Sequence, residues 1–131
     1  MKNFEYQEFL ELARELASSS DFASNCSEAK YRSAISRAYY AVFLTGKLVS
    51  GDFNIRHEDL IARIKKQDEY IADRVRSLKL KREDADYDKS VPYKMENEVQ
   101  ACLDEASELI TEIAKWTDLP KLTDTPIRRR S

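Results

Sequence analysis

The sequence predicts an all-α fold, an antiparallel bundle of four to five helices. The chain of 131 residues contains only 2 glycines and 3 prolines, too few for the tight turns of a strand-rich fold. Apolar residues recur at intervals of three and four along several long stretches, which places them on one face of an α-helix. Hydrophobic residues make up 42% of the chain, enough to form one buried core.

The first helix is predicted over residues 3–17 and the second over residues 25–49. Asn25, followed three residues later by Glu28, resembles a capping box, in which the two side chains bond to the free N–H groups of the first turn. Gly51 is predicted to end the second helix, because glycine readily adopts the left-handed conformation found after a helix.

The second helix has the most apolar composition, since residues 38–44 carry no charge. A helix that is apolar on all sides is buried, which predicts a position at the centre of the bundle or at a dimer interface. Arg37 borders this run, and a charge there needs a partner. We expect Asp86 to pair with Arg37, with Tyr39 and Tyr40 filling the core beside them. The same side chains could alternatively line a cleft for the phosphate of a nucleotide or RNA.

A third helical region is predicted over residues 55–81, with a break near Asp68 that would divide it into two shorter helices. Residues 83–91 are polar and acidic, so we expect a loop or a loosely helical turn there. A fourth helix is predicted over residues 92–116, with Pro92 in its first turn.

The segment 117–131 contains two prolines and ends in Arg128-Arg129-Arg130 before the last serine. This composition predicts an extended or disordered tail, so that the chain divides into a bundle over 1–116 and a tail over 117–131. The arginines could contact an acidic partner or RNA, although short basic termini are more often simply solvated.

Charge is unevenly distributed along the chain, although the net charge is only -2. Residues 56–82 contain nine Lys or Arg against five Asp or Glu, whereas residues 83–112 contain ten acids against two lysines. Oppositely charged helix faces are expected to attract each other within the fold.

Several classes of protein are disfavoured. Glutamates in the first 20 residues argue against a signal peptide, and no apolar run approaches the ~20 residues that span a bilayer, so we expect a soluble, cytoplasmic protein. Cys26 and Cys102 form no CxxC motif, and no metal site or cofactor is predicted. His57 is the one histidine, and without a neighbouring nucleophile it is interpreted as a surface or capping group.

Two motifs resemble the HEPN family (higher eukaryotes and prokaryotes nucleotide-binding domain). They are Ser36-Arg37-Ala38-Tyr39-Tyr40-Ala41-Val42-Phe43 and the later Arg82-Glu83-Asp84-Ala85-Asp86-Tyr87. The resemblance implies a bundle of four or five helices, often a homodimer. Many members are ribonucleases in which an arginine and a histidine meet at the dimer interface. Others are paired with a minimal nucleotidyltransferase, in toxin–antitoxin or phage-defence systems.

The resemblance assigns Arg82 to the signature arginine, but Tyr87 stands where the ribonucleases have histidine. A phenol with a pKa of about 10 is a poor general base. We therefore expect a non-catalytic module that binds a nucleotide or a partner protein, with Arg37, Arg82 and Tyr87 at its polar centre. One alternative is a ribonuclease toxin using Arg82 with Tyr87 or His57. Another is a structural adaptor, in which the pair of Arg37 and Asp86 specifies packing.

Overall fold

The computed structural model describes residues 4–18, 27–86 and 95–122, and every element in these segments is a helix. The helices are α1 (Phe4–Ser18), α2 (Ser27–Ser50), α3 (His57–Gln67), α4 (Glu69–Asp86) and α5 (Met95–Ile113). No strand occurs within the described segments. The predicted all-α fold of four to five helices is therefore confirmed.

Helix α2 lies at the centre of the bundle and contacts each of the other four helices. Small side chains let its neighbours approach closely, since Ala34, Ala38 and Ala41 are fully buried. Thr45 is also buried, and its hydroxyl donates to the carbonyl of Ala41 at 2.8 Å, so it leaves no unpaired polar group in the core. The central position predicted from the apolar run is confirmed.

Two of the predicted helix boundaries are confirmed by backbone geometry. Asp68 separates α3 from α4, has an extended backbone, and accepts the N–H of Ile71 at 3.1 Å with its carboxylate. Gly51 adopts a positive φ of 74° directly after α2, and its N–H donates to the carbonyl of Lys47 at 2.9 Å. The predicted capping residue Asn25 and the predicted first-turn residue Pro92 lie outside the described residues.

Helix α4 continues regularly through residues 83–86, where a loop or a loosely helical turn was predicted. The helix continues to Asp86 because Ala85 is buried in the core. Arg32 of α2 also donates to the carbonyls of Asp84 and Ala85, at 2.8 and 3.1 Å. These bonds satisfy carbonyls that a helix end leaves without partners, so the last turn is stable despite its acidic sequence.

The first part of the predicted tail is packed against the bundle. Residues 117–122, called here the return segment, follow the end of α5 and place Leu119 in the core with 3% of its surface exposed. Arg63 donates to two carbonyls of this segment at 2.9 Å each, and Lys66 donates to two more at 2.8 and 2.9 Å. The bundle therefore extends at least to Leu122, beyond the boundary expected at residue 116.

Ion pairs join basic side chains of α4 to glutamates of the acidic helix α5. Arg74 donates to Glu105 and Glu108 at 2.7 Å, and Lys81 donates to Glu98 at 3.0 Å. The predicted attraction between oppositely charged segments is therefore satisfied inside the fold. Across the three described segments, none of the helices is both long and apolar enough to cross a bilayer.

Candidate functional site

Polar and aromatic side chains from three helices meet where α2 passes the beginning of α3 and the end of α4. We call this group the polar cluster; its members are Ser36, Tyr39, His57, Arg82 and Asp86. Helix α2 supplies the first two residues, α3 begins with the histidine, and the last two turns of α4 supply the ion pair. The cluster combines a hydrogen-bonded imidazole with a guanidinium, both of which can contact a ligand.

The shortest polar contact in the cluster joins Tyr39 Oη to His57 Nδ1 at 2.8 Å. Burial raises the pKa of Tyr39, so the phenol keeps its proton. Burial, followed by the positive charges of Arg82 and Lys79, lowers the pKa of His57 and keeps the imidazole neutral near pH 7. A phenol is the better donor and an imidazole nitrogen the better acceptor, so we assign Tyr39 as donor to Nδ1 and the ring proton to Nε2.

The imidazole of His57 is held in place by aromatic rings. Its centroid lies 3.9 Å from that of Phe43 in a stacked arrangement and 5.6 Å from that of Tyr39. Among the described residues, Nε2 has no hydrogen-bond partner, and His57 is only half-buried. The ring therefore presents its remaining N–H toward the surface in a fixed orientation.

The guanidinium carbon of Arg82 lies 5.6 Å from the centre of the Tyr39 ring. Its Nε is 3.2 Å from a carboxylate oxygen of Asp86, which also accepts the hydroxyl of Ser36 at 3.3 Å. Within the described segments no hydrogen bond engages the two terminal nitrogens of Arg82. Asp86 thus orients the guanidinium through Nε and leaves its outer edge available.

Charged side chains beside His57 form a second, mutually neutralising group. Glu58 accepts from Arg76 at 2.9 Å and pairs with Lys79 at 3.2 Å, while Lys79 pairs with Glu83 at 2.6 Å. Hydrogen bonds from Arg76 and Lys79 lower the pKa of Glu58, and the bond to Glu83 raises the pKa of Lys79. Glu58 and Lys79 therefore remain ionised near neutral pH and do not compete for protons with His57.

The predicted pair of Arg37 and Asp86 is wrong. Asp86 pairs with Arg82 and Ser36 instead, and Arg37 Nε is buried without a hydrogen-bond partner in the part of the chain that the structure describes. Adjacent residues on a helix point about 100° apart, so the face of Ser36 meets α4 and that of Arg37 does not. The pair on which the structural-adaptor alternative depended is not formed.

Tyr40 also lies outside the cluster. It is 38% exposed and packs edge-on against Phe9 of α1, with ring centroids 5.0 Å apart. Tyr87 lies outside the described residues. Of the predicted site residues, the structure therefore brings together Tyr39, Arg82 and Asp86, and with them His57 from the ribonuclease alternative.

Sequence reasoning named His57 only in the ribonuclease alternative, as a possible partner of Arg82, and did not place it beside Tyr39. The interpretation of His57 as a surface or capping group is corrected, because Arg56 precedes α3 as its N-cap without a side-chain bond, and His57 bonds to Tyr39 instead. The available signal was its position at the start of the helix that follows α2. That position did not reveal which α2 residue it would meet.

No family model, curated protein or solved structure matches this chain. The described residues contain no group of three or more His, Cys, Asp or Glu side chains arranged to hold a metal ion. What the polar cluster offers is a pair of oriented donors: the Nε2–H of a neutral His57 and the terminal N–H groups of Arg82.

Proposed function

We propose that this chain is a HEPN-like module that binds the phosphate group of a nucleotide or RNA without cleaving it. His57 Nε2–H and the terminal nitrogens of Arg82 would donate to the phosphate oxygens. The observation that carries this proposal is the 2.8 Å bond between Tyr39 Oη and His57 Nδ1. Because Nδ1 accepts this bond, the proton of the neutral imidazole lies on Nε2. The one histidine therefore presents a hydrogen-bond donor in a fixed orientation.

The protonation state of His57 favours binding over cleavage. A general base needs a free nitrogen lone pair. The lone pair of Nδ1 already accepts the hydrogen bond from the phenol, and Nε2 carries the ring proton. A general acid at neutral pH needs an imidazolium, whereas burial and the nearby cations lower the pKa of His57. To donate a hydrogen bond to an anion, His57 needs neither a free lone pair nor an added proton.

The guanidinium of Arg82 supports a phosphate as the ligand. Arginine presents paired N–H groups that match two oxygens of a phosphate, and such charge-assisted bonds are stronger than neutral ones. Asp86 holds the side chain through Nε alone, at 3.2 Å, so the outer edge can engage a ligand without losing its anchor.

The same contacts support the proposed family. Tyr39 from the first motif and Arg82 and Asp86 from the second converge in one cluster. We extend the proposal to what the resemblance implies about partners. These are a second copy of the chain in a homodimer, and a nucleotidyltransferase or antitoxin in a toxin–antitoxin or phage-defence system.

The proposal is tested by thermal unfolding of the full chain with ATP, GTP or a short RNA at millimolar concentration. A ligand at 100 times its Kd stabilises the folded state by about 2.7 kcal/mol, so a melting-temperature rise of several degrees is expected. Arg82→Gln and His57→Gln should each abolish most of the rise. Arg76→Gln is the matched control, because Arg76 is also on α4 but pairs with Glu58. No shift with any of the three ligands would overturn the proposal.

A ribonuclease using Arg82 with His57 is the second candidate, because both residues contact Tyr39 within one protomer. It predicts growth arrest on expression, rescue by Arg82→Ala, and RNA cleavage by the purified protein. RNA that stays intact over pH 5–9 while still raising the melting temperature would exclude this candidate and keep the binding proposal.

A further inference from the structure

A pocket separate from the polar cluster lies between the loop that follows α2, the beginning of α3 and the return segment. It has a volume of about 350 Å³ and shares no residue with the polar cluster. Its charged lining consists of Arg56, Arg63, Lys121, Asp52 and Asp59, and we call it the Arg63 pocket. We propose that the Arg63 pocket is a binding site for a phosphate group, and that the guanidinium of Arg63 is its central donor.

Arg63 is a buried charge without a carboxylate partner. Only 6% of its surface is exposed, and its Nε and Nη2 donate at 2.9 Å to the neutral carbonyls of Pro120 and Leu119. No described Asp or Glu forms an ion pair with it. Buried guanidinium groups are ordinarily paired with an anion, since desolvating a charge is costly. An anionic ligand could therefore supply the partner that Arg63 lacks within the described residues.

The third nitrogen of Arg63 is the one left to contact a ligand in the pocket. Nη1 donates to none of the described residues, which engage only Nε and Nη2. A fully buried nitrogen without a hydrogen-bond partner occurs once within the described segments, at Arg37 Nε. Nη1 of Arg63 has no partner either, so it is not fully buried. Arg63 lines this pocket, so we infer that its partly exposed Nη1 faces it.

Counted together with Arg63, the charged side chains of the lining carry a small positive surplus. Arg56, Arg63 and Lys121 face Asp52 and Asp59, a surplus of one positive charge. The carboxylate of Asp52 already accepts the N–H of Asn54 at 3.0 Å, which reduces its repulsion of a ligand. Asp59 is the main opposing charge, and its position one turn before Arg63 makes it a useful probe.

The experiment titrates full-length protein with inorganic phosphate at constant ionic strength and follows the Nε–H signal of Arg63 by NMR. Saturable movement of this signal is expected. Arg56→Gln should weaken phosphate binding by roughly threefold to tenfold, and Asp59→Asn should strengthen it by a similar factor, because each changes one charge beside the anion. Lys65→Gln is the charge-matched control, because Lys65 is on the same helix but does not line the pocket.

These rim variants avoid Arg63 itself, whose replacement would release the return segment. A parallel titration with glycerol phosphate distinguishes a free phosphate from a phosphate ester, according to which ligand binds more tightly. A signal that does not move with either ligand would overturn the site, as would equal affinities of wild type, Arg56→Gln and Asp59→Asn. The result is independent of the polar cluster, because Arg82→Gln should leave this titration unchanged.

Discussion

Replacing Tyr39 with phenylalanine would remove one oxygen atom and nothing else from a site with 1% of its surface exposed. The ring would keep its packing, while His57 Nδ1 would lose the donor that now lies 2.8 Å away. Tyr40, the next residue, is a control of the same chemistry. It is 38% exposed, and its hydroxyl makes no hydrogen bond to a described residue.

The expected loss of stability follows from these contacts. A net hydrogen bond contributes about 0.5–1.5 kcal/mol, and a buried acceptor left without a partner costs roughly 1–3 kcal/mol. Because His57 is only half-buried, water can partly replace the phenol, so we expect about 1–2 kcal/mol for Tyr39→Phe. For a domain of this size that lowers the melting temperature by roughly 3–8 °C. Tyr40→Phe should change stability by less than about 0.5 kcal/mol.

Urea denaturation of the two variants measures this difference. Combining Tyr39→Phe with His57→Phe, which preserves the stacking on Phe43, completes a double-mutant cycle with an expected coupling of about 1 kcal/mol. Equal stability of Tyr39→Phe and Tyr40→Phe, or a coupling close to zero, would refute the hydrogen bond and the tautomer assigned from it.

Three other outcomes are expected. His57 has a lowered pKa when folded, so as the pH falls below about 6.5 the unfolded chain takes up the proton first and stability decreases; His57→Gln should flatten this dependence in thermal scans between pH 7 and 5. Leu119→Ala should cost about 2–4 kcal/mol in urea denaturation, whereas Leu122→Ala, at a 43% exposed position, should cost little. Burial raises the pKa of the Cys102 thiol to about 11, so peptide mapping should find Cys102 unmodified by iodoacetamide until denaturant is added.

Local signals predicted the helices of this bundle well. The spacing of apolar residues located the helices, Gly51 marked the end of α2, and Asp68 marked the break between α3 and α4. Each of these features depends on a few neighbouring residues, because a cap or a positive φ is decided within one turn. The composition of residues 83–91 is also a local signal, and it did not predict that α4 continues to Asp86. That last turn is stabilised by Arg32, about fifty residues earlier in the chain.

The polar cluster could be predicted only in part, because it depends on how the helices are rotated against one another. Periodicity shows that Arg37 and Asp86 each lie near a buried face, but it does not show that Asp86 faces Ser36. The contact between Tyr39 and His57 likewise depends on the path of the loop between α2 and α3. Nothing in the local sequence specifies this relative rotation, so the residue types of the site were predicted more reliably than their pairing.

The bonds that hold the return segment have a consequence for which changes the chain can tolerate. Within the described residues, the bonds that Arg63 and Lys66 donate to the return segment end on main-chain carbonyls, which every amino acid supplies. Residues 120–122 can therefore vary in sequence without loss of these bonds, provided that the backbone itself is present. Leu119 is the exception, because its side chain fills the core. The attachment depends on chain length more than on side-chain identity, so a stop before residue 120 would be more damaging than substitutions at all three positions.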